Sequence, residues 1–220
     1  MRRVDIPEIL DSDSCPPSEV AVSLRDMGRM NRWFGGVSTS LALLDRVVRK
    51  TGRTRFSLLE VAAGGGEVPQ TMARLLGRRG ITLDITYLDR SHAHLIGGGQ
   101  SIVGDALALP FRDGAFELIG CSLFAHHLDP DSLKLFAAEA LRVCSIAVLM
   151  NDLVRHPLHL ALVYAGFPLM RSPVSRFDGV ASVRKAYTVE EMGEMLAAGP
   201  GHDLEIFPHY LYRMGVVLWK

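Results

Sequence analysis

The stretch LLEVAAGGGEVPQ, residues 58–70, constrains the fold of the chain more than any other. An apolar run of strand length passes directly into three glycines, and residues with helical spacing follow. Val68, Met72 and Leu76 share one face of that stretch, and Pro69 falls in its first turn, where a missing N–H does no harm. A strand, a glycine turn and a helix in this order indicate a parallel sheet that binds a ligand at the carboxyl edge of its strands.

The remaining chain continues the alternation of strand-like and helical stretches, which is typical of a parallel sheet. Helices are predicted to begin at Val68, after the capping residue Asp129, and at Thr188, which forms a capping-box pattern with Glu191. Strands are predicted at 56–62, 83–89, 101–106, 116–123 and 145–152, and two more, joined near Pro208-His209, close the sheet. The predicted fold class is therefore α/β, with a Rossmann-like, seven-stranded, mostly parallel sheet and helices on both faces.

Two helical additions to this sheet are expected within a single domain spanning residues 1–220. Residues 1–45 form an N-terminal helical segment, broken at Gly35-Gly36. Residues 153–187 form a helical cap, inserted between the fifth strand and the last helix, that binds the substrate. Its apolar part, residues 156–170, is shorter than the ~20 residues of a spanning helix, so we expect a buried or groove-lining helix.

Composition narrows the partners and the compartment. The chain has 24 basic and 24 acidic residues, so no net field favours nucleic acid or an anionic membrane, and a small molecule is the expected partner. Cys15, Cys121 and Cys144 form neither a disulfide framework nor a zinc pattern, and no metal site is predicted. The first residues lack the apolar core of a signal peptide, so a cytoplasmic protein is expected. The sequence predicts no oligomeric state.

The glycine loop could serve two classes of ligand. A dinucleotide site requires G-x-G-x-x-G, in which the third glycine lets the helix approach beneath a pyrophosphate. Here Gly64-Gly65-Gly66 is followed by Glu67-Val68-Pro69, so the third glycine is missing and a carboxylate faces the position of a phosphate. This register disfavours a diphosphate and favours a ligand with a zwitterionic end.

Glu60 at the end of the first strand, followed by Gly64 and Gly66, resembles the acidic-x-G-x-G-x-G loop of class I S-adenosylmethionine-dependent methyltransferases. In that family an acid after the second strand, here Asp89, binds the ribose hydroxyls, and a motif matching Gly104-Asp105-Ala106 binds the adenine amino group. The resemblance covers about residues 25–220 and implies S-adenosylmethionine as cofactor, with S-adenosylhomocysteine as product. The cofactor-binding residues that it implies are Glu60, Ala62, Gly64, Gly66, Asp89, Arg90, Gly104, Asp105, Ala106 and Ser122.

Ala62 departs from the family pattern, because it replaces the first glycine of the loop. An alanine is tolerated there if the backbone is not at positive φ. Three further stretches, CSLFAHHL, VLMNDLVR and FDGVASVRKAYTVEEM, resemble bacterial methyltransferases of the ubiquinone and menaquinone type and polyketide-tailoring enzymes. That subgroup implies a small-molecule acceptor, usually a phenolic or sugar oxygen.

Catalytic residues are expected just past the fourth strand, where the methyl group of the cofactor should point. His126 and His127 lie there, and Asp152 ends the next strand, within reach of one of them. Related sugar and phenol O-methyltransferases pair a histidine here with such an acid, which implies a His/Asp base that removes the proton of a hydroxyl acceptor. The alternative interpretation is that one histidine only caps or packs against the adjacent turn.

Substrate contacts are expected from the cap, with Arg155, Asp178 and Arg184 as polar groups beside an apolar helix. Arg184 and Asp178 could instead simply pair with each other. The stretch RMNRWFGG, residues 29–36, is a candidate for closing over the acceptor, although the sequence favours a core or surface role for Arg32, Trp33 and Phe34.

Four functions are compatible with these residues. The leading prediction is methyl transfer to a phenolic, quinone or polyketide-type hydroxyl, and the alternatives are methylation of a ring carbon and cofactor binding without catalysis. A nicotinamide-dependent reductase is disfavoured by the missing third glycine. A nucleic-acid methyltransferase is disfavoured because the chain has no basic stripe and no Asn/Asp-Pro-Pro-aromatic motif.

Overall fold

The computed structural model describes residues 1–11, 15–95, 99–197 and 203–220. Its strands form one seven-stranded sheet in the order β3-β2-β1-β4-β5-β7-β6. Strands β1 to β5 are parallel to one another, and β7 runs antiparallel to both β5 and β6. The strands are β1 (Arg55–Val61), β2 (Thr82–Asp89), β3 (Gln100–Val103), β4 (Phe116–Ser122), β5 (Cys144–Leu153), β6 (Asp203–His209) and β7 (Arg213–Trp219). The predicted fold class is confirmed.

Seven α-helices accompany the sheet in the described part of the chain. They are α1 (Pro17–Trp33), α2 (Gly36–Thr51), α3 (Glu67–Gly77), α4 (Pro130–Val143), α5 (Pro157–Ala165), α6 (Pro173–Lys185) and α7 (Val189–Ala197). Short 3-10 helices lie at Ile9–Asp11, His92–His94, Ala125–His127 and Phe167–Leu169.

Local sequence signals explain several of these boundaries. The Asp129 side chain accepts hydrogen bonds from the backbone N–H groups of Asp131 and Ser132, which caps α4 as predicted. Thr188 and Glu191 each accept a hydrogen bond from the other's backbone N–H, which is the predicted capping box. Gly35 separates α1 from α2 at φ 85°, a left-handed conformation that favours glycine.

Two hydrophobic cores flank the sheet. On one face α2 and α3 bury Leu43, Leu44 and Leu76 against Phe56 and Leu118. On the other face α4 and α7 pack against the sheet, and their buried side chains include Leu133, Phe136 and Met192. Because both faces are covered, the carboxyl edge of the parallel strands is the place left for a ligand.

Two sequence-based expectations about local structure are wrong. The last two strands are joined at 210–212 rather than at Pro208-His209, with Leu211 and Tyr212 at positive φ. The apolar helix α5 is not buried, because it packs against α6 along one side only and leaves Leu158 60% and Leu162 46% exposed. Within the described residues, no helix combines the length and apolar character needed to span a bilayer.

Candidate active site

A cavity of about 500 Å³ lies at the carboxyl edge of the sheet, within the range of small-molecule sites. The loops after β1, β2, β3 and β4 form its floor, and α1 and the N-terminal residues form its roof. All ten predicted cofactor-binding residues line this one cavity: Glu60, Ala62, Gly64, Gly66, Asp89, Arg90, Gly104, Asp105, Ala106 and Ser122. Residues that are distant in the sequence therefore surround a single space.

The glycine loop after β1 needs two of its three glycines for conformational reasons. Gly64 and Gly66 have φ values of 51° and 67°. A Cβ added to Gly66 would come within 2.9 Å of the Tyr87 ring, so this position excludes any side chain. Gly65 is not at positive φ and a Cβ there would meet its nearest neighbour only at 3.9 Å. The loop therefore carries no side chain at Gly64 and Gly66, where its backbone lines the cavity.

An alanine is tolerated in this loop if its backbone is not at positive φ, but Ala62 has a φ of 52°. A residue with a Cβ pays roughly 1–2 kcal/mol for this left-handed conformation. Leu123, after β4, is also at positive φ (58°), and both residues line the cavity. Backbone strain of this kind persists where the surrounding structure enforces it, and it concentrates at ligand sites.

Glu60 is a buried carboxyl group at the inner end of the cavity. Burial raises its pKa to about 7, against the opposing effect of a hydrogen bond with Ser122. Gly120 on the neighbouring strand makes room for it, since a Cβ there would lie 2.3 Å from the Glu60 Oε2. Glu60 is therefore an acid whose negative charge is poorly compensated by its surroundings, and a cationic ligand group would stabilise that charge.

Asp89 and Asp105 extend the acidic lining outward. Gly64 N–H donates to Asp89 Oδ2 at 3.0 Å, and Ser91 N–H donates to Oδ1 at 3.0 Å. Burial opposes ionisation of Asp89, but its contact with His94 and these two amides lower its pKa below the usual value. Asp105 is exposed and accepts a hydrogen bond from Leu107 N–H at 2.8 Å. Both carboxylates retain capacity to accept hydrogen bonds from a ligand.

His126 and Asp152 form the pair that the sequence predicts. His126 Nδ1 lies 2.6 Å from Asp152 Oδ1, and His126 N–H donates to Asp152 Oδ2 at 3.0 Å. Burial disfavours a charged imidazole, yet Asp152 and Glu8 outweigh it and raise the pKa of His126 to about 9. His126 is 2% exposed and does not line the cavity. This imidazole is held in the charged form at neutral pH.

His127 is the histidine that lines the cavity. Its Nδ1 lies 3.0 Å from Asp11 Oδ2, and its Nε2 lies 3.6 Å from Glu8 Oε2. Glu8 and Asp11 also line the cavity, although nothing in the sequence marks them as functional. No short-range signal could have found them, because the chain brings them to the histidines only through its tertiary fold.

Residues 1–11, here called the N-terminal strap, cross the carboxyl edge of the sheet and are fastened to the cap. Asp178 accepts hydrogen bonds from Ile9 N–H at 2.7 Å and Leu10 N–H at 3.1 Å. The buried Lys185 ammonium lies 3.6 Å from Glu8 Oε1 and 3.7 Å from Asp11 Oδ2. The strap, rather than residues 29–36 alone, closes the cavity.

The three predicted substrate-binding residues take other positions in the structure. Arg155 pairs with Glu191 and donates to Met1 O, Arg184 O accepts a hydrogen bond from Val4 N–H, and Asp178 holds the strap as described. None of the three lines the cavity. The Arg155 guanidinium faces Glu191 of α7, and the Asp178 carboxylate faces the strap. Arg184 and Asp178 do not form an ion pair in the structure.

Comparisons with known proteins agree with this architecture. Residues 59–146 match the profile of a family described as "Methyltransferase domain". The plantazolicin methyltransferase BpumL in complex with SAH superposes with a TM-score of 0.73 at 13% identity, covering 96% of this chain and 92% of that one. A SAM-dependent methyltransferase from Aquifex aeolicus gives 0.60 at 14% identity, covering 94% and 99%.

Human N-acetylserotonin methyltransferase in complex with SAM gives a TM-score of 0.64 at 10% identity, covering 93% of this chain and 56% of that one. No curated protein matches the chain by sequence. At these identities the structural matches establish the fold. Residues 59–146 match a methyltransferase domain, and the superposed structures share the fold of the whole chain, in agreement with the resemblance to class I S-adenosylmethionine-dependent methyltransferases that the sequence shows.

Replacing Ala62 by glycine should stabilise the protein by about 1 kcal/mol, because glycine adopts the left-handed conformation without the Cβ penalty. Urea denaturation of the protein without ligands measures this change. Ala63→Gly is the matched control, since Ala63 is not at positive φ and should only lose stability. Equal destabilisation by both substitutions would contradict the strained conformation of Ala62.

Glu60→Gln should alter how stability depends on pH. The folded-state pKa of Glu60 is raised from 4.5 to about 7, so the unfolding free energy should fall as pH rises through this window. The loss amounts to roughly 3 kcal/mol above pH 7 and should be absent in the glutamine variant. Thermal melts at pH 5 and pH 8 without cofactor test this, with the exposed Glu194→Gln as control. A variant that keeps the wild-type pH dependence would refute it.

Proposed function

We propose that this chain transfers the methyl group of S-adenosylmethionine to a hydroxyl group of a small molecule of the phenolic, quinone or polyketide type. The observation that carries the proposal is that one cavity joins the acids Glu60, Asp89 and Asp105 to the histidine His127. A cofactor site and a group able to handle the acceptor proton are thus adjacent, as in-line methyl transfer requires.

The cavity fits the chemistry of this cofactor. S-adenosylmethionine, when bound, supplies an electrophilic methyl group on its sulfonium. The poorly compensated Glu60 carboxyl suits the amino group of the methionine end, Asp89 suits the ribose hydroxyls, and Asp105 suits the adenine amino group. The glycine loop leads directly into the N-terminus of α3, which suits the carboxylate end of the methionine part. Arg90 donates to Asp11 O, so its proposed contribution is to hold the strap against this site.

The two histidines are proposed to differ in their role toward the proton of the acceptor. His127 lines the cavity and has Nδ1 against Asp11, which orients the ring, so His127 is the proposed general base. His126 is charged and buried between Asp152 and Glu8, so it is proposed to position the loop and to hold Glu8 rather than to accept the proton. Asp152 then acts through His126.

The acceptor class receives support from the structural neighbours. Several of them are plantazolicin methyltransferase complexes with desmethylPZN analogues, and another is N-acetylserotonin methyltransferase, so this architecture accommodates small organic acceptors. Leu10, Phe124 and Leu128 give the cavity an apolar side near His127. An aromatic or polyketide-like ring with a hydroxyl group suits this mixture of apolar and polar lining.

Cofactor binding should be seen directly by calorimetry of the purified protein with S-adenosylhomocysteine. We expect saturable one-to-one binding, and we expect no heat with NADH because the loop lacks the third glycine of a dinucleotide site. Asp89→Ala should weaken the binding of S-adenosylhomocysteine at least tenfold. If the folded protein gives no heat with S-adenosylhomocysteine, the proposed function fails.

His127→Ala should lower turnover by roughly 100-fold or more, the usual contribution of a general base, while the affinity for S-adenosylhomocysteine stays nearly unchanged. Turnover is measured with radiolabelled cofactor and an acceptor identified from a panel of phenols, quinones and polyketides. His92→Ala, at an exposed histidine outside the cavity, is the matched control. Wild-type turnover in His127→Ala would remove the base and favour catalysis by proximity alone.

The same labelled product separates oxygen from carbon methylation. A methyl ether supports the proposal, whereas a methyl group on a ring carbon supports the alternative that the sequence leaves open. Cofactor binding without any methylated product across the panel would favour a binding protein that does not catalyse transfer.

A further inference from the structure

Three potential metal ligands meet where the N-terminal strap crosses the end of β4. Glu8 from the strap faces His126 and His127, and one donor atom from each residue lies within 4.8 Å of the other two. Two imidazoles and one carboxylate are a donor set typical of zinc and of divalent iron, cobalt or manganese. The sequence predicts no metal site here because Glu8 is far from the histidines along the chain.

Both histidines are oriented for coordination through Nε2. Asp152 Oδ1 lies 2.6 Å from His126 Nδ1, and Asp11 Oδ2 lies 3.0 Å from His127 Nδ1. Metal-binding histidines usually donate their other ring N–H to such a carboxylate, which fixes the tautomer and leaves the second nitrogen as a ligand. Each imidazole thus has its own supporting carboxylate.

The buried His126 Nε2 makes no hydrogen bond within the described structure. It lies 3.5 Å from Glu8 Oε1, and His127 Nε2 lies 3.6 Å from Glu8 Oε2. Both separations exceed a normal hydrogen bond. They lie at or just above the spacing of about 3.3–3.5 Å between neighbouring ligand atoms that each lie about 2.0–2.1 Å from a tetrahedral zinc ion.

Two buried carboxylates, Glu8 and Asp152, face His126, and each has a buried cation nearby. The Lys185 ammonium lies 3.6 Å from Glu8 Oε1, and the buried Arg213 interacts electrostatically with Asp152. The space between the two carboxylates suits either a protonated His126 or a metal ion bound by a neutral His126, so the proton and the ion compete for the same position.

We propose that Glu8, His126 and His127 form a binding site for one divalent transition-metal ion of zinc-like preference, with Asp152 and Asp11 orienting the two imidazoles. Glu8 and His127 line the cavity whereas His126 lies behind them, so the remaining coordination position of the ion faces the cavity. With the ion bound, His127 is a ligand and no longer the base. Resting on the proposed function, the ion would then take over that role by binding the acceptor hydroxyl and lowering its pKa, as Lewis-acidic metals commonly do.

The site is tested by titrating zinc chloride into EDTA-treated full-length protein, without cofactor or acceptor, by calorimetry. Cobalt chloride provides a second readout, since coordination by histidine and carboxylate gives visible ligand-field absorption. We expect one ion per chain. Glu8→Gln and His127→Ala should each weaken zinc binding at least tenfold, and Asp152→Asn should weaken it about 10- to 100-fold.

The control variant His92→Ala changes an exposed histidine outside the cluster and should bind zinc like the wild type. Circular dichroism in EDTA establishes that each variant is folded. Glu8 lies on the strap rather than in the sheet, so Glu8→Gln keeps the test decisive even if substitutions at Asp152 unfold the protein. Absence of one-to-one binding in the folded wild type, or wild-type affinity in both Glu8→Gln and His127→Ala, would overturn the proposal.

Failure of this proposal is distinguishable from failure of the proposed function. S-adenosylhomocysteine binding is measured on EDTA-treated protein and does not require the metal. Zinc binding without cofactor binding would uphold the metal site and sink the methyltransferase assignment of the cavity. Zinc binding together with turnover that chelation leaves unchanged would uphold the site and overturn its role in activating the acceptor.

Discussion

The turn after β1 is the constraint on which the rest of the site depends. Between Ala62 and Gly66 the backbone enters the left-handed region three times, and this path brings the chain from the buried strand to the start of α3 in a few residues. The hydrogen bond from Gly64 N–H to Asp89 ties the turn to the end of β2. Without that path, Glu60 and the glycine loop would not line the same cavity. The turn also forces Ala62 into the left-handed region, and the backbone strain there is a consequence of this path.

The N-terminal strap provides the other half of the site through electrostatics. Asp178 anchors its backbone, Lys185 neutralises part of its charge, and Glu8 reaches the histidines that follow β4. A segment with few apolar contacts is thereby held by charged and polar groups, which is the kind of attachment that opens at modest free-energy cost. The same groups that hold the strap also define the acceptor end of the cavity.

The parts of the fold that follow from short-range physics could be predicted from the sequence. Strand-to-helix alternation, the Asp129 cap and the Thr188–Glu191 capping box each depend on a few neighbouring residues. The sequence predicts that Glu60, Asp89 and Asp105 lie at one site, because each ends or follows a strand and parallel strands end at a common edge. Their individual roles toward the cofactor stay predictions.

Long-range placement accounts for what the sequence could not show. Glu8 and Asp11 lie in a polar segment with no periodicity, and only the packing of the strap on α6 brings them to the histidines. The exposure of α5 depends on how few elements pack against it, which its apolar composition does not reveal. The positive φ of Ala62 is set by the turn and not by the preference of alanine.

Hydrogen–deuterium exchange with and without S-adenosylhomocysteine tests the central claim most directly, namely that the cavity under the strap is the cofactor site. Binding should slow exchange at 62–66, at 104–107 and in the strap at 8–11, because these segments line the same space. The exposed helix α5 should exchange at an unchanged rate. Binding that leaves all three segments unprotected, or that protects only other regions, would contradict the account.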